Sequence, residues 1–376
     1  MRVAVITFFQ SQDNYGQLLQ CYALQNTLRK LGHKPYLIRY GFHQEFFHWL
    51  KKKNIITKRG RSNTLHQIIQ FVNPQKEVLD RGFDAFRKKY LTKSLRCYNS
   101  LAELQQHPPK ASCYITGSDQ VWAQLLSNDN NRCFFLDFGS DDVRRISYAP
   151  SFAMDYYPQE LKAKLSDQLK RFNAISVREQ SGVAICEDVG YEAKLVLDPT
   201  LLLTVSDYEH VLDRPNKSLF CFIYHVNVIS KEELHWDAFC EYNKTYGYQS
   251  VASFANPLKG ENMEILDGAD YVYPTIGEWL GYIKHSEYVL TSSFHGLVFS
   301  VLFHRPFVVC LRKESMFAGN DRVMTLLRML HLEERVAKEG VKPDEILARP
   351  IDWNMVDLEL DGYRKTSLNY LRNNLC

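Results

Sequence analysis

Val3-Ala4-Val5-Ile6-Thr7-Phe8-Phe9 is an apolar run near the start of the chain, and the turn residues Asn14-Tyr15-Gly16 follow it. Apolar positions at helical spacing then cover residues 18–31, and Gly32 ends this pattern before a second apolar segment at residues 36–40. A strand, a loop, a helix and a second strand in this order are typical of a parallel sheet buried on both faces. The opening of the chain therefore predicts an α/β fold.

Two series of such patterns divide the chain. Apolar segments continue the first series at 113–116, 145–148, 174–177 and 194–197, and form a second at 219–224, 249–254, 271–273, 288–291 and 306–310, with helical patterns at 231–246, 276–285 and 296–303. Consecutive α/β series predict two Rossmann-like domains facing a cleft, with right-handed crossovers. We assign residues 1–200 and 201–340 to these domains. Residues 341–376 form a tail, predicted to be helical over 358–374 and to pack back across both.

Residues 41–110 interrupt the first series with many basic and aromatic side chains and weak strand signals, so we predict a helical insertion there. Within it, four aromatic residues precede six basic ones: Phe42, Phe46, Phe47, Trp49, Lys51, Lys52, Lys53, Lys58, Arg59 and Arg61. One interpretation is peripheral contact of residues 42–61 with an anionic membrane at its inner face. The other is that the aromatics pack into the first domain and the lysines form a solvated surface.

Composition excludes several classes of function. The 376 residues carry 46 basic and 43 acidic side chains, and a net charge of +3 argues against a general nucleic-acid binder. The nine cysteines show no CxxC or Cys/His ligand spacing, which favours reduced thiols and no metal site. The first apolar run is too short for a secretory signal, and none approaches the ~20 residues of a membrane span. We expect a cytoplasmic protein.

Two loops that follow predicted strands carry candidate ligand-binding residues. Asn14, Tyr15, Gly16 and Gln17 precede a helix, where exposed amides can bind a phosphate or sugar hydroxyls, although no GxGxxG fingerprint is present. The alternative is a turn that only starts the helix. The second loop contains the residues Gly117, Ser118, Asp119 and Gln120. Asp119 is a candidate base toward a hydroxyl group, or else an N-cap.

Two further residues have side chains suited to chemistry. Arg178 follows a predicted strand, and its guanidinium suits a phosphate or carboxylate, unless Glu179 or another acid neutralises it. His295 lies at a strand-to-helix junction after three hydroxyl-bearing residues, Thr291, Ser292 and Ser293. An imidazole can give or take a proton near neutral pH, and the hydroxyl groups can orient a ligand. We therefore single out His295 from the 12 histidines.

Motifs along the chain occur in an order that resembles the bacterial polysaccharide pyruvyl transferases. They are Asn14-Tyr15-Gly16-Gln17 with Leu19-Gln20-Cys21-Tyr22-Ala23-Leu24-Gln25, Gly117-Ser118-Asp119-Gln120-Val121-Trp122, Ser176-Val177-Arg178-Glu179, Asp198-Pro199-Thr200 and Ser293-Phe294-His295-Gly296. The resemblance extends over roughly residues 1–335 and is weakest in the insertion. It implies a GT-B-like fold, phosphoenolpyruvate as donor and no other cofactor. The implied acceptor is a sugar of a surface polysaccharide or its precursor, carried on a lipid or a nucleotide.

The resemblance also assigns roles residue by residue. Some members have an Arg-Leu-His motif at the last site, whereas this chain has Ser293-Phe294-His295 and so resembles a Ser-Phe-His-Gly subgroup. Arg178 matches a second arginine implicated with the donor, and Arg322 is our candidate for the missing cation. We expect His295 to act as the acid, and Asp119 as the base. Ser292 and Ser293 are expected to assist donor binding.

Two rival functions remain open at this stage. A GT-B glycosyltransferase that uses a nucleotide sugar shares the predicted architecture, and architecture does not determine chemistry. A non-catalytic carbohydrate-binding subunit is the second. Such a subunit would tolerate loss of His295.

Overall fold

Two parallel five-stranded sheets form the framework of the computed structural model, which describes residues 1–41, 80–255, 263–312 and 319–375. The first sheet contains β1 (Arg2–Ile6), β2 (Lys34–Tyr40), β3 (Lys93–Tyr98), β4 (Cys113–Thr116) and β5 (Arg144–Ser147), in the spatial order β3-β2-β1-β4-β5. A short parallel pair follows along the chain, β6 (Ser176–Val177) and β7 (Lys194–Leu195). Hydrogen bonds between Ser147 and Ser176 connect this pair to β5.

The second sheet repeats the topology of the first. It contains β8 (Phe220–Val226), β9 (Gln249–Ala255), β10 (Asp270–Tyr271), β11 (Val289–Thr291) and β12 (Phe307–Val309), in the order β10-β9-β8-β11-β12. In each sheet the first strand of the series lies in the centre, and the order reverses beside it. Ligands of open parallel sheets bind at such switch points, outside the carboxyl ends of the strands.

Helices connect the strands. They are α1 (Tyr15–Lys30), α2 (Phe83–Tyr90), α3 (Leu101–Gln106), α4 (Gln159–Leu169), α5 (Gln180–Asp188), α6 (Trp236–Tyr246), α7 (Ile276–His285), α8 (Phe294–Leu302), α9 (Asn320–Met329), α10 (Pro343–Leu347) and α11 (Trp353–Asn374). None of the helices in the described ranges is long and apolar enough to cross a membrane.

The first strand–helix unit is buried because it lies at the centre of the molecule. Val3, Ala4, Val5 and Ile6 have at most 1% of their surface exposed. α1 buries residues on most of its circumference, since it packs against its own sheet and against the segment Pro199–Leu202. Helix α1 is therefore an internal helix rather than an amphipathic surface helix.

The start of α1 differs from the prediction. The helix begins at Tyr15, three residues before the predicted start, because the Asn14 side chain accepts a hydrogen bond from the Gln17 amide at 3.2 Å and caps it. Tyr15, Gly16 and Gln17 are therefore the first turn of a helix and not an open loop. Strand β1 ends at Ile6 rather than at residue 9.

The predicted helical insertion contains a strand in its described part. β3 pairs with β2 at the edge of the first sheet, and its side chains are largely polar or basic. Edge strands bury only part of their surface, so the apolar signal that marks a central strand is missing. The aromatic and basic residues of 42–61, for which we predicted membrane contact, lie outside the described residues.

One predicted helix is broken. The pattern at residues 231–246 is a short 3-10 turn followed by α6, because His235 adopts a left-handed conformation with φ of 50° between them. Single residues in this conformation interrupt a right-handed helix.

The C-terminal helix α11 contacts both domains. In the first domain, the Tyr370 hydroxyl donates to the Ser147 carbonyl oxygen at 2.9 Å, and the Ser367 hydroxyl accepts from the Leu197 amide at 3.0 Å. In the second, the Trp353 ring stacks on His304 with centroids 4.9 Å apart. The helix thus begins on the second domain and ends on the first.

We predict that His225, buried on β8, destabilises the protein in acid. Burial lowers its pKa to about 4, so between pH 6.5 and 4 the unfolded chain binds a proton that the folded chain does not. Stability must then fall as pH decreases, by at most about 1.4 kcal/mol per pH unit from this group. Urea unfolding at pH 7, 6 and 5 should show a weaker pH dependence for His225→Gln than for wild type. His331→Gln, at an exposed site, is the control, and equal slopes in all three proteins would contradict the prediction.

Candidate active site

A pocket lies where the carboxyl ends of the two sheets meet. Loops after strands of the first domain contribute Asn14, Asp119, Gln120 and Arg178. Strand ends, loops and the first turns of α8 and α9 in the second domain contribute Val226, Asn227, Ser292, Ser293, Phe294, His295, Arg312 and Arg322. The sequence placed most of these residues at strand ends, and the structure brings them together from separate parts of the chain.

Asp198 is the centre of the hydrogen-bond network beside this pocket. Its Oδ2 accepts from the Ser118 hydroxyl at 2.7 Å and from Arg178 Nη1 at 3.0 Å, and its Oδ1 accepts from the Thr200 hydroxyl at 2.6 Å. His295 Nε2 lies 3.7 Å from Oδ1. Burial alone would raise the pKa of this carboxyl, but its contacts with His295, Arg178 and Thr200 hold the pKa well below its usual range. Asp198 is therefore ionised throughout the neutral range.

His295 is positioned by the first turn of α8 and by the first turn of α1. Ser293 caps α8, since its hydroxyl accepts from the Gly296 amide at 3.3 Å. The ring then lies directly against Gly16, where an added Cβ would be 2.0 Å from His295 Nδ1. Gly16 is thus at the site, where the absence of a side chain makes room for the imidazole.

Arg178 is buried, and its guanidinium has several neighbours. Besides its hydrogen bond to Asp198, it lies 4.8 Å from the Phe294 ring centroid, and its Nη2 is 3.8 Å from Asp119 Oδ1. Glu179 is a weaker partner, with Oε2 3.7 Å from Nε, and its other oxygen accepts from the Phe152 amide at 2.8 Å. Burial raises the pKa of Glu179, which Arg178 opposes. The sequence left open whether Glu179 neutralises Arg178, and the structure assigns that contact mainly to Asp198.

Two further arginines approach the same pocket. Arg322, on the first turn of α9, donates from both Nη atoms to the side-chain oxygen of Gln120. Burial, together with the cationic side chains of Arg178 and Arg312, lowers the pKa of Arg322 to about 9. Cations that repel one another at a pocket wall are stabilised when an anion binds between them.

Asp119 has a strained backbone at the pocket wall. Its φ is 79°, a left-handed conformation that is uncommon for a residue with a side chain. The Asp119 carboxylate accepts a hydrogen bond from the Gln120 amide at 2.8 Å. The short 3-10 turn that follows has Gln120, and not Asp119, at its N-cap position. Strain of this kind is often found at functional sites.

The two serines of the last motif also line the pocket. The Ser292 hydroxyl accepts from the Val226 amide at 2.9 Å, which connects the ends of β8 and β11. Ser293 caps α8, as described above. Both hydroxyls therefore have backbone partners and orient the loop that carries His295.

Several predicted site residues have structural positions instead. Tyr15 is fully buried between the domains, where its hydroxyl donates to the Pro274 carbonyl oxygen at 2.8 Å and its ring stacks on Trp279 at 5.0 Å. Ser118 faces Asp198. The side chain of Gln17 accepts from the Ser11 amide at 2.7 Å, and Gly117 packs against side chains of β1 and its loop.

Sequence reasoning assigned no role to Asp198, Asn227 or Arg312. Asn227 and Arg312 follow β8 and β12, so the position that indicated Arg178 also applied to them. Asp198 belongs to the motif Asp198-Pro199-Thr200. Its partners Ser118, Arg178 and His295 are distant in sequence, however, and only the fold shows that they converge.

A model of the family described as polysaccharide pyruvyl transferase matches residues 14–314. The chain belongs to the polysaccharide pyruvyl transferase family. The match includes the loops that carry Asp119, Arg178 and His295. No curated protein matches this chain.

Solved structures similar to this chain include proteins described as glycosyltransferases and as UDP-GlcNAc 2-epimerases. MnaA of S. aureus with UDP has a TM-score of 0.50 at 12% identity, over 100% of this chain and 96% of that one. The UDP-GlcNAc 2-epimerase of Methanocaldococcus jannaschii has a TM-score of 0.49 at 12% identity, over 99% of both chains. An α-glucosyltransferase in complex with UDP and DNA has 0.49 at 10% identity, over 100% and 92%. At these identities the likeness concerns the fold alone. The prediction of two Rossmann-like, GT-B-like domains facing a cleft is confirmed.

We predict that Gly16→Ala displaces His295 and lowers the rate of the transferase reaction by about 10²-fold, the loss typical of a misplaced reacting group. The added methyl group overlaps the imidazole, so the ring must move. The assay compares initial rates and thermal unfolding of the variant and wild type. Gly362→Ala is the matched control, because Gly362 is also helical but has open space around it. A normal rate in Gly16→Ala would show that the ring position does not matter.

Proposed function

We propose that this protein transfers the enolpyruvyl group of phosphoenolpyruvate to two hydroxyls of a sugar and forms a pyruvate ketal. The observation that supports it is the convergence of Arg178, Arg312 and Arg322 on a pocket that also contains His295. A small donor with a phosphate and a carboxylate suits several guanidinium groups, and its enol carbon needs an acid. Membership of the polysaccharide pyruvyl transferase family supports transfer of a pyruvyl group as the reaction.

In this proposal the arginines bind the donor. Arg178 and Arg322 come from different domains, so each approaches the donor from its own side of the cleft. Their charges stabilise the phosphate as its bond to carbon breaks, which is the usual way a preorganised site lowers a barrier. Arg312 adds a third cation at the end of β12.

His295 supplies the proton in the first step. Its Nε2 is buried and, at 3.7 Å from Asp198, has no hydrogen-bond partner among the described residues. We assign the His295 imidazolium as the donor of the proton that converts the methylene group into a methyl group. The Asp198 carboxylate orients the ring, and Gly16 allows the ring to lie against α1.

The remaining steps form two bonds to the same carbon. One sugar hydroxyl attacks the carbon next to the new methyl group and loses its proton to Asp119. The carbon–oxygen bond to phosphate then breaks, and a second hydroxyl attacks and loses its proton to the departing phosphate. The products are the ketal and inorganic phosphate, so two hydroxyl protons leave and one proton is gained by carbon.

The direct test incubates the protein with phosphoenolpyruvate and a panel of lipid-linked and nucleotide-linked sugars, and searches for the mass of an added ketal. His295→Gln should fold and bind the donor but lower turnover by about 10²–10⁴-fold, because only proton transfer is lost. Near-normal turnover would refute the acid assignment. Heat stabilisation by nucleotide sugars, and not by phosphoenolpyruvate, would indicate a glycosyltransferase instead.

We predict that Arg178→Lys weakens donor binding although the charge is kept. The guanidinium donates to Asp198 while lying over Phe294, and an ammonium group cannot reproduce this planar geometry. Titration calorimetry with phosphoenolpyruvate should show an affinity at least about tenfold lower. Arg96→Lys, on exposed β3, is the control. If Arg178→Lys binds phosphoenolpyruvate normally and only Arg178→Ala is impaired, a positive charge at this position is sufficient for donor binding.

A further inference from the structure

Helices α5 and α9 connect the two domains through their first turns. The Ser181 amide of α5 donates to Asp321 Oδ2 at 2.9 Å, and the Gln180 amide donates to the Thr325 hydroxyl at 3.2 Å. The first residues of a helix have amide groups without partners inside the helix. In α5 these groups are therefore capped by side chains of the other domain.

The cap from the other domain replaces a local one. Glu179 occupies the N-cap position of α5, but its side chain makes no capping hydrogen bond. Its carboxylate instead accepts from the Phe152 amide at 2.8 Å. The first turn of α5 thus depends on Asp321 and Thr325, and it loses these partners if the domains separate.

The same contact sets the distance between two pocket arginines. Arg178 lies immediately before the N-cap residue of α5, and Arg322 follows Asp321 on α9. Joining the helices brings the two cations into one pocket, where Arg178 is the charge that lowers the pKa of Arg322 most, after the effect of burial. In the absence of an anion, the caps of α5 and the Gln120–Arg322 hydrogen bonds oppose this repulsion.

We propose that Asp321 and Thr325 are positioning residues that dock α9 on α5, so that donor binding and the closed arrangement of the domains stabilise each other. This inference rests on the proposed function, because it takes phosphoenolpyruvate as the anion between Arg178 and Arg322. The donor removes the repulsion that opposes docking, and docking supplies both cations to the donor. By linkage, the donor strengthens docking by the same factor by which docking strengthens donor binding, so a variant that weakens docking weakens donor binding by up to the factor that docking loses.

A purely structural role for Asp321 makes a different prediction. Asp321 lies in the first turn of α9 and 3.7 Å from Arg328, so it also stabilises its own helix. Loss of that role would lower the melting temperature without changing donor affinity. The two roles are therefore separated by a binding measurement.

The test compares Asp321→Ala, Asp321→Asn and Arg328→Ala by calorimetry with phosphoenolpyruvate and with inorganic phosphate. We expect the dissociation constant of phosphoenolpyruvate to rise about fivefold to tenfold in Asp321→Ala, as for the loss of one helix cap. Asp321→Asn keeps an oxygen acceptor and should recover most of the affinity. Arg328→Ala removes only the surface ion pair and should bind as wild type does.

A second pair of variants tests the same contact between the helices if Asp321→Ala does not fold. Thr325→Val removes the hydroxyl at nearly constant volume, whereas Thr325→Ser keeps it, so only Thr325→Val should lose affinity. Unchanged donor affinity in both Asp321→Ala and Thr325→Val would overturn the inference. Failure of the proposed function would instead appear as absence of phosphoenolpyruvate binding in wild type.

Discussion

The buried carboxylate of Asp198 is the interaction on which the site depends. One oxygen of this group faces Ser118 and Arg178, and the other faces Thr200 and the imidazole of His295. A buried carboxylate is costly unless cations and hydrogen-bond donors surround it, and removing one partner leaves a charge uncompensated. Arg178, proposed to bind the donor, and His295, the proposed acid, are thereby oriented by one anion. A displacement of either affects the other through Asp198.

The two sheets explain how this carboxylate meets partners from distant parts of the chain. Both sheets have the same strand order, and both direct the carboxyl ends of their central strands toward the pocket. Tyr15 fixes the relative position of the domains, because its ring and hydroxyl both contact the second domain from the first turn of α1. The next residue, Gly16, contacts His295. Domain packing and the position of the imidazole are thus determined by adjacent residues.

The sequence predicts the parts of this structure whose signals are local. The central strand β4 and helix α7 have the predicted bounds, because continuous apolar runs and a capping box at Thr275 mark them without reference to the rest of the chain. The edge strand β3 was predicted wrongly as part of a helical insertion, since its exposed side chains lack that pattern. Tyr15 was interpreted as a ligand-binding residue. Its burial between the domains is a property of the assembled fold, and no local sequence signal indicates it. Asp198 received no role for the same reason.

The division of cationic groups between domains has a consequence for catalysis. If all pocket arginines belonged to one domain, the donor site would be complete whether or not the domains met, and water could reach the activated donor. Here Arg178 belongs to the first domain, while Arg312 and Arg322 belong to the second, so the donor site is complete only when the domains are in contact. The surroundings of His295 also come from both domains, because His295 is on α8 of the second domain while Asp198 and Gly16 are in the first. Under the proposed function, the acid and the anion-binding groups are therefore assembled together, by the same contact between the domains.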